Sequence, residues 1–109
     1  MTVSMTSMNK INNTVKNIVK TITPFVKIVL FGSYARNEAN SQSDFDFLVV
    51  VPYQLEIKDK IRLRSKIRKA LLEKGIRSDI LIQSDDELQA KNLIPGHIVR
   101  SILREGVLL

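Results

Sequence analysis

Apolar residues recur along the first part of the chain with a helical period. Ile11, Val15, Ile18, Val19 and Ile22 share one side of a 3.6-residue repeat. This predicts an amphipathic helix through MNKINNTVKNIVKTIT, ended by Pro24, because the residue before a proline avoids helical angles. The pattern then changes. FVKIVLF, residues 25–31, is apolar and β-branched and reads as a buried strand. SYARNEA reads as a short helix with Ser33 as its N-cap, and NSQS as a polar loop. DFDFLVVV is a second strand, closed by Pro52. A long helix follows from about Glu56 to Lys74, with Ile57, Ile61, Ile67 and Leu71 as its expected buried face. Gly75 takes the position after its C-cap. RSDILIQ is a third strand opening with Asp79. Ser84 and Glu87 have capping-box spacing ahead of a helix at DDELQAKN. IPGHIVRSILREG is a last helix closed by Gly106, and VLL is a short edge strand or a tail.

Strands alternating with helices argue for an α/β fold, helices packed on a small sheet. The order alone leaves strand directions open. There is no repeat or linker, and residues 1–109 read as a single domain. Composition changes little in this picture. With 44% hydrophobic and 26% charged residues the chain is ordinary and globular. The lack of cysteine excludes disulfides and cysteine-based zinc sites and fits a reducing cytoplasm. No apolar run approaches the roughly 20 residues that span a bilayer, and MTVSMTSMNK lacks the apolar centre of a leader. The net charge of +6, from 17 basic and 11 acidic residues, suggests an anionic partner. A solvated basic face on the long helix, through Lys58, Lys60, Arg62, Arg64, Lys66, Arg68 and Lys69, is the plain alternative. The aromatics do not interleave with basic clusters, so a stacking platform for single-stranded nucleic acid is not expected.

The candidate chemistry lies in FGSYARNEANSQSDFDFLVVV. Residues i and i+2 of a strand share a face. Asp44 and Asp46 therefore project together, with Cα atoms about 6.6–6.8 Å apart. Two like charges this close raise each other's pKa. A divalent cation resolves the conflict, and Mg²⁺ suits a carboxylate pair completed by water and substrate phosphates. Asp79 opens another strand and can join them if the two strands are neighbours. Three carboxylates can hold two metals roughly 3.5–4 Å apart, clamping both oxygens of a phosphoryl or nucleotidyl displacement. One acid can also take the proton from an incoming hydroxyl.

Gly32 follows a buried strand and lets a ligand approach the backbone closely. Ser33 and the next amides form a helix start, which favours phosphate. Arg36, one turn on, can assist a phosphate or pair with an acid. The Gly-x4-Gly-Lys spacing of a P-loop is absent. Each piece also has a bland explanation: Asp-x-Asp as a strand-edge solubility device, Gly-Ser as a capped turn, His97 as a structural or surface residue.

The combination is more specific than its parts. Gly32-Ser33, ten intervening residues, Asp44-x-Asp46, then Asp79 on a later strand resembles the DNA polymerase beta-type nucleotidyltransferase superfamily. GSYAR followed by SDFDFLVV is similar to the signature of the minimal nucleotidyltransferases, the MNT proteins, over nearly the whole chain. The resemblance implies the nucleotidyltransferase fold, a small mixed β-sheet flanked by helices. It implies that Gly32, Ser33 and Arg36 face the nucleotide triphosphate. It further implies that Asp44, Asp46 and Asp79 are catalytic and hold Mg²⁺, two ions in all, with ATP as donor. Asn37 stands where relatives often have Gly. MNT proteins often pair with a HEPN-domain ribonuclease toxin. The implied role is thus a type VII-like antitoxin that transfers AMP to a tyrosine of that toxin. Alternatives are a stand-alone transferase acting on a small molecule or RNA end, and a non-catalytic antitoxin that blocks its toxin sterically.

Overall fold

The computed structural model describes residues 5–109. Residues 1–4, part of the segment read above for a leader, lie outside the described residues. Nine elements follow one another: α1 (Met5–Ile22), β1 (Lys27–Phe31), α2 (Gly32–Ala35), β2 (Phe45–Val51), α3 (Ile57–Glu73), β3 (Ser78–Ser84), α4 (Asp85–Asn92), α5 (Ile98–Glu105) and β4 (Val107–Leu108). The sheet order is β3-β2-β1-β4. β1 is antiparallel to both β2 and β4, whereas β2 and β3 are parallel. The sheet is therefore mixed. A parallel pair needs a long crossover, and α3 supplies it.

Alternation along β2 divides the core in two. Phe45, Phe47, Val49 and Val51 face one cluster with Val15 and Val19 of α1 and Ile67 and Leu71 of α3. Leu48 and Val50 face the other, with Ile102 of α5 and Leu88 of α4. Helices thus cover both faces of the sheet, and β2 is buried on both sides. This explains the unbroken apolar run FLVVV. No helix among the described residues is long and apolar enough to cross a membrane.

Three local expectations need correction. Phe25 is not in β1: it turns left-handed, with φ of 64°, and is 89% exposed. Pro24 cannot continue α1, and the chain reverses through Phe25 before β1 begins at Lys27. The Gly-Ser helix is a single turn and starts two residues early, with Phe31 rather than Ser33 at the N-cap position. Ser33 lies inside the turn and caps nothing. The turn closes where Asn37 adopts a φ of 57° and the Glu38 amide donates to the Ser33 carbonyl at 2.9 Å. In α3, Ile67 and Leu71 are buried, but Ile57 is 77% exposed and Ile61 is exposed as well. The inner stripe runs through Leu63, Ile67 and Leu71. At 100° per residue it lies roughly a quarter to a third of a turn from Ile57 and Ile61.

Other expectations hold. Gly75 has a φ of 76°, and the Ile76 and Gly75 amides donate to the Leu71 and Leu72 carbonyls at 3.0 and 2.9 Å. That is the Schellman closure. The capping box between Ser84 and Glu87 is complete, and α4 spans Asp85–Asn92. IPGHIVRSILREG is helical only from Ile98: residues 94–97 form a turn, with Gly96 at a φ of 76°, and His97 caps α5 through Nδ1, which accepts from the Val99 amide at 3.1 Å. VLL contributes the edge strand β4.

Candidate active site

The parallel register places Asp46 directly opposite Asp79, and the antiparallel register places Asp46 opposite Phe31. β2 thus carries Asp46 between two neighbours, with Asp79 on one flank and the end of β1 on the other. Asp46 shares its face of β2 with Leu48 and Val50, the α4–α5 side. Asp44 precedes the strand at the same end. Phe45, between the two acids, points to the opposite core. Its ring stacks on Tyr34 at 3.8 Å and 9°, and Phe47 lies parallel to it at 6.0 Å. This stack ties the Gly-Ser turn to the acid-bearing strand. The spacing of GSYAR and DFDF contained Tyr34, but only the fold shows that it anchors the site.

Gly32 meets Asp46 directly. Its φ is 74°, and a Cβ at this position would stand 2.2 Å from Asp46 Oδ2. Any side chain here would both strain the backbone and strike the carboxylate. The Gly-Ser turn and the acids therefore form one site. A cleft of about 180 Å³ opens beside them, lined by Phe31, Gly32, Arg36, Ile98, Ser101, Ile102 and Glu105.

Asp46 is half-buried; Asp44 and Asp79 are exposed. The Asp46 carboxyl is pushed above the usual carboxylate range, first by burial and then by the charges of Asp79 and Asp44. Arg36 offsets this only in part. Its guanidinium is engaged elsewhere, with Glu38 at 3.0 Å and Glu105 at 4.0 Å. Arg77, not singled out in the sequence, lies 3.5 Å from Asp44 Oδ1. Its position just before the third strand was the available signal.

The structure brings Gly32, Ser33, Arg36, Asp44, Asp46 and Asp79 to one end of the sheet. It does not close the acids into a metal cage. Among the described residues, no three acidic, histidine or cysteine side chains gather as ligands. The donor set consists of carboxylate oxygens alone, the chemistry that suits Mg²⁺. Mutual repulsion, with Asp44 turned towards Arg77, accounts for the open arrangement.

The sequence matches the family model described as Nucleotidyltransferase domain over residues 12–109. It is 34% identical over 83 residues to a candidate protein adenylyltransferase of Methanocaldococcus jannaschii, covering 76% of each chain. In structure it resembles a toxin–antitoxin crystallised with AMP-PNP. That match has a TM-score of 0.62 and 21% identity, over 88% of this chain and 69% of that one. It also resembles the complex of a tri-AMPylated Shewanella oneidensis HEPN toxin with its MNT antitoxin. Here the TM-score is 0.55 and the identity 18%, over 92% and 69% of the two chains.

Proposed function

Because this chain belongs to the nucleotidyltransferase domain family, we propose that its acid end transfers AMP from ATP to a tyrosine of a HEPN-domain toxin and thereby neutralises it. The observation that carries the reading is the contact of the Gly-Ser turn with the acids: Gly32 abuts Asp46, and Asp46 pairs in register with Asp79. The adenylyltransferase relative and the AMP-PNP and HEPN–MNT neighbours support adenine nucleotide, antitoxin role and partner. A cysteine-free chain fits a reducing cytoplasm.

Asp44, Asp46 and Asp79 would hold Mg²⁺, which when bound neutralises phosphate charge and orients the triphosphate. The chain's own residues do the rest. The backbone at Gly32 and Ser33 leaves room for the phosphates and offers amide donors to them. Asp79 accepts the proton of the incoming tyrosine hydroxyl. The tyrosine oxygen attacks the α-phosphorus, and pyrophosphate leaves on the Gly32 side. Positioning and charge compensation carry most of the rate.

The test is incubation of the protein and its HEPN partner with Mg²⁺ and ATP labelled at the α-phosphate. Label should appear on a partner tyrosine and vanish with Asp44→Asn plus Asp46→Asn. An unlabelled partner, or equal labelling by the double variant, rejects the reading. A double variant that still neutralises the toxin would point to steric blocking.

A further inference from the structure

A groove of about 470 Å³ lies between α3 and the start of β3, on the α1–α3 face of the sheet. Ser78, which lines it, pairs in register with Phe45, whereas Asp79 pairs with Asp46 and projects from the other face. The groove is therefore separate from the space in front of Asp46. Its charges are one-sided. Arg68, Lys69 and Arg77 line it against a single acid, Asp44, and Leu72 and Ile76 provide an apolar wall. Among the described residues no acid pairs with Arg68 or Lys69. Both guanidinium groups are anchored by part of their donor set. Arg68 Nε donates to the Ser78 carbonyl at 3.2 Å. Arg77 Nη2 donates to the Ser41 carbonyl at 3.3 Å, and its Nε lies 3.5 Å from Asp44 Oδ1. The other N–H groups of each fork are left to present to a ligand. Ser78 is only 7% exposed, yet its Oγ has no hydrogen-bond partner among the described residues. A buried hydroxyl left unpaired is costly, so the groove contains a polar atom that lacks its partner.

These groups fix the chemistry of what fits. Three cations less one carboxylate leave two positive charges, which a phosphate dianion balances and a single carboxylate does not. Guanidinium forks match phosphate oxygens. A phosphate oxygen can accept from the Ser78 hydroxyl, and the apolar wall keeps water from one side, which strengthens charged hydrogen bonds. Arg68 comes from α3 and Arg77 from the residue before β3, and both meet at Ser78. The site thus exists only where the crossover helix returns to the sheet.

We propose that this groove binds free inorganic phosphate, and that the bound anion strengthens cation binding at the acid end through Arg77. The link is the Arg77–Asp44 pair, and it rests on the reading above that Asp44 holds Mg²⁺. With the groove empty of anion, Arg77 is the counter-ion of Asp44, and a metal must compete with it for that carboxylate. A phosphate in the groove takes over the charge of Arg77, whether the guanidinium stays beside Asp44 or turns inward. In both cases Asp44 becomes the better cation ligand. Coupling of this kind is reciprocal, so Mg²⁺ at the acids should tighten phosphate in the groove by the same factor. No covalent bond is made or broken in the groove, and the anion there acts on the acid end through charge alone.

The test titrates inorganic phosphate into the full chain without Mg²⁺ or ATP, against chloride at equal ionic strength, and follows backbone amide resonances. Saturable shifts are expected at Lys69, Arg77 and Ser78. Affinity should fall about tenfold or more in Arg68→Ala plus Lys69→Ala, as loss of charged hydrogen bonds predicts. Arg68 also braces the Ser78 backbone, so Lys69→Glu alone, on the exposed side of α3, serves as a second variant and should weaken phosphate in the same direction. Mg²⁺ is then titrated with and without saturating phosphate, compared at equal free Mg²⁺, and followed at the Gly32 and Asp46 amides. An exposed ion pair is weak, so phosphate should raise the Mg²⁺ affinity only about two- to fivefold. Shifts confined to Gly32 and Ser33, unchanged phosphate affinity in both variants, or an Mg²⁺ affinity that phosphate leaves unchanged or lowers would overturn the proposal. Binding of an acidic peptide in the groove where phosphate does not bind would do the same. Failure of the transfer reading itself shows separately, as absence of label from ATP on the partner, and leaves the phosphate shifts in place.

Discussion

Asp46 and Glu87 sit at opposite ends of the β2–β3 pair. Each is a partly buried carboxylate beside the sheet, yet their surroundings push them in opposite directions. Burial raises the Glu87 carboxyl, but hydrogen bonds from Lys60 and from the Ser84 amide, at 3.0 Å, outweigh it and hold it below the usual glutamate range. Asp46 is pushed upwards by burial and by two neighbouring acids, and among the described residues no hydrogen bond or ion pair reaches it. A carboxylate that serves the fold comes with its partners. One that faces two further acids and a glycine turn has its oxygens free, and its partners must come from solution.

The comparison is broken most strongly by removing the open acids. Asp44→Asn with Asp46→Asn should lower nucleotidyl transfer by at least about 10²–10³-fold, measured as label transferred per unit time, while the circular dichroism spectrum stays native. Gly32→Ala should impair both ends of the account. It should abolish measurable transfer and cost about 1–3 kcal/mol in denaturant unfolding, from left-handed strain and the clash with Asp46. At the other end, Ser84→Ala should cost about 1 kcal/mol of stability, the value of an N-cap, and leave the transfer rate untouched.

Two smaller effects sharpen the contrast. Asp46→Asn alone should raise the melting temperature slightly in chelator, because it removes repulsion among three acids, and Glu87→Gln should lower it. The second effect depends on pH in a defined sense. Glu87 has a folded pKa below its unfolded one, so its contribution is present above the ordinary glutamate pKa. It is lost as pH falls through the depressed value. Melting curves of Glu87→Gln and the parent should therefore converge at acid pH.

What was legible in the sequence was local chemistry with a strict geometric requirement. The capping box of Ser84 and Glu87 and the Gly75 closure each depend on a few adjacent residues, and each is found as expected. The site pattern was legible for the same reason: Asp-x-Asp on a strand and Gly-Ser at a turn bring their own geometry. What was not legible depends on distant elements. Ile57 and Ile61 follow the apolar spacing of α3, but the face that α1 and the sheet cover is a different one. Phe25 belongs by composition to the strand, and the reversal after α1 pulls it out. The pairing of Asp46 with Asp79 required strand direction and order, and the groove beside Arg77 required the crossover helix to be in place.

The central claim is that the open carboxylates, not the satisfied one, await a metal-bound nucleotide. Mn²⁺ in place of Mg²⁺, added with a non-hydrolysable ATP analogue, reports this directly through paramagnetic broadening of nearby amide resonances. The account predicts broadening at Gly32, Ser33, Asp44, Asp46 and Asp79, none at Ser84 or Glu87, and loss of the effect in Asp46→Asn. Broadening centred on Glu87, or a pattern unchanged by Asp46→Asn, would contradict it.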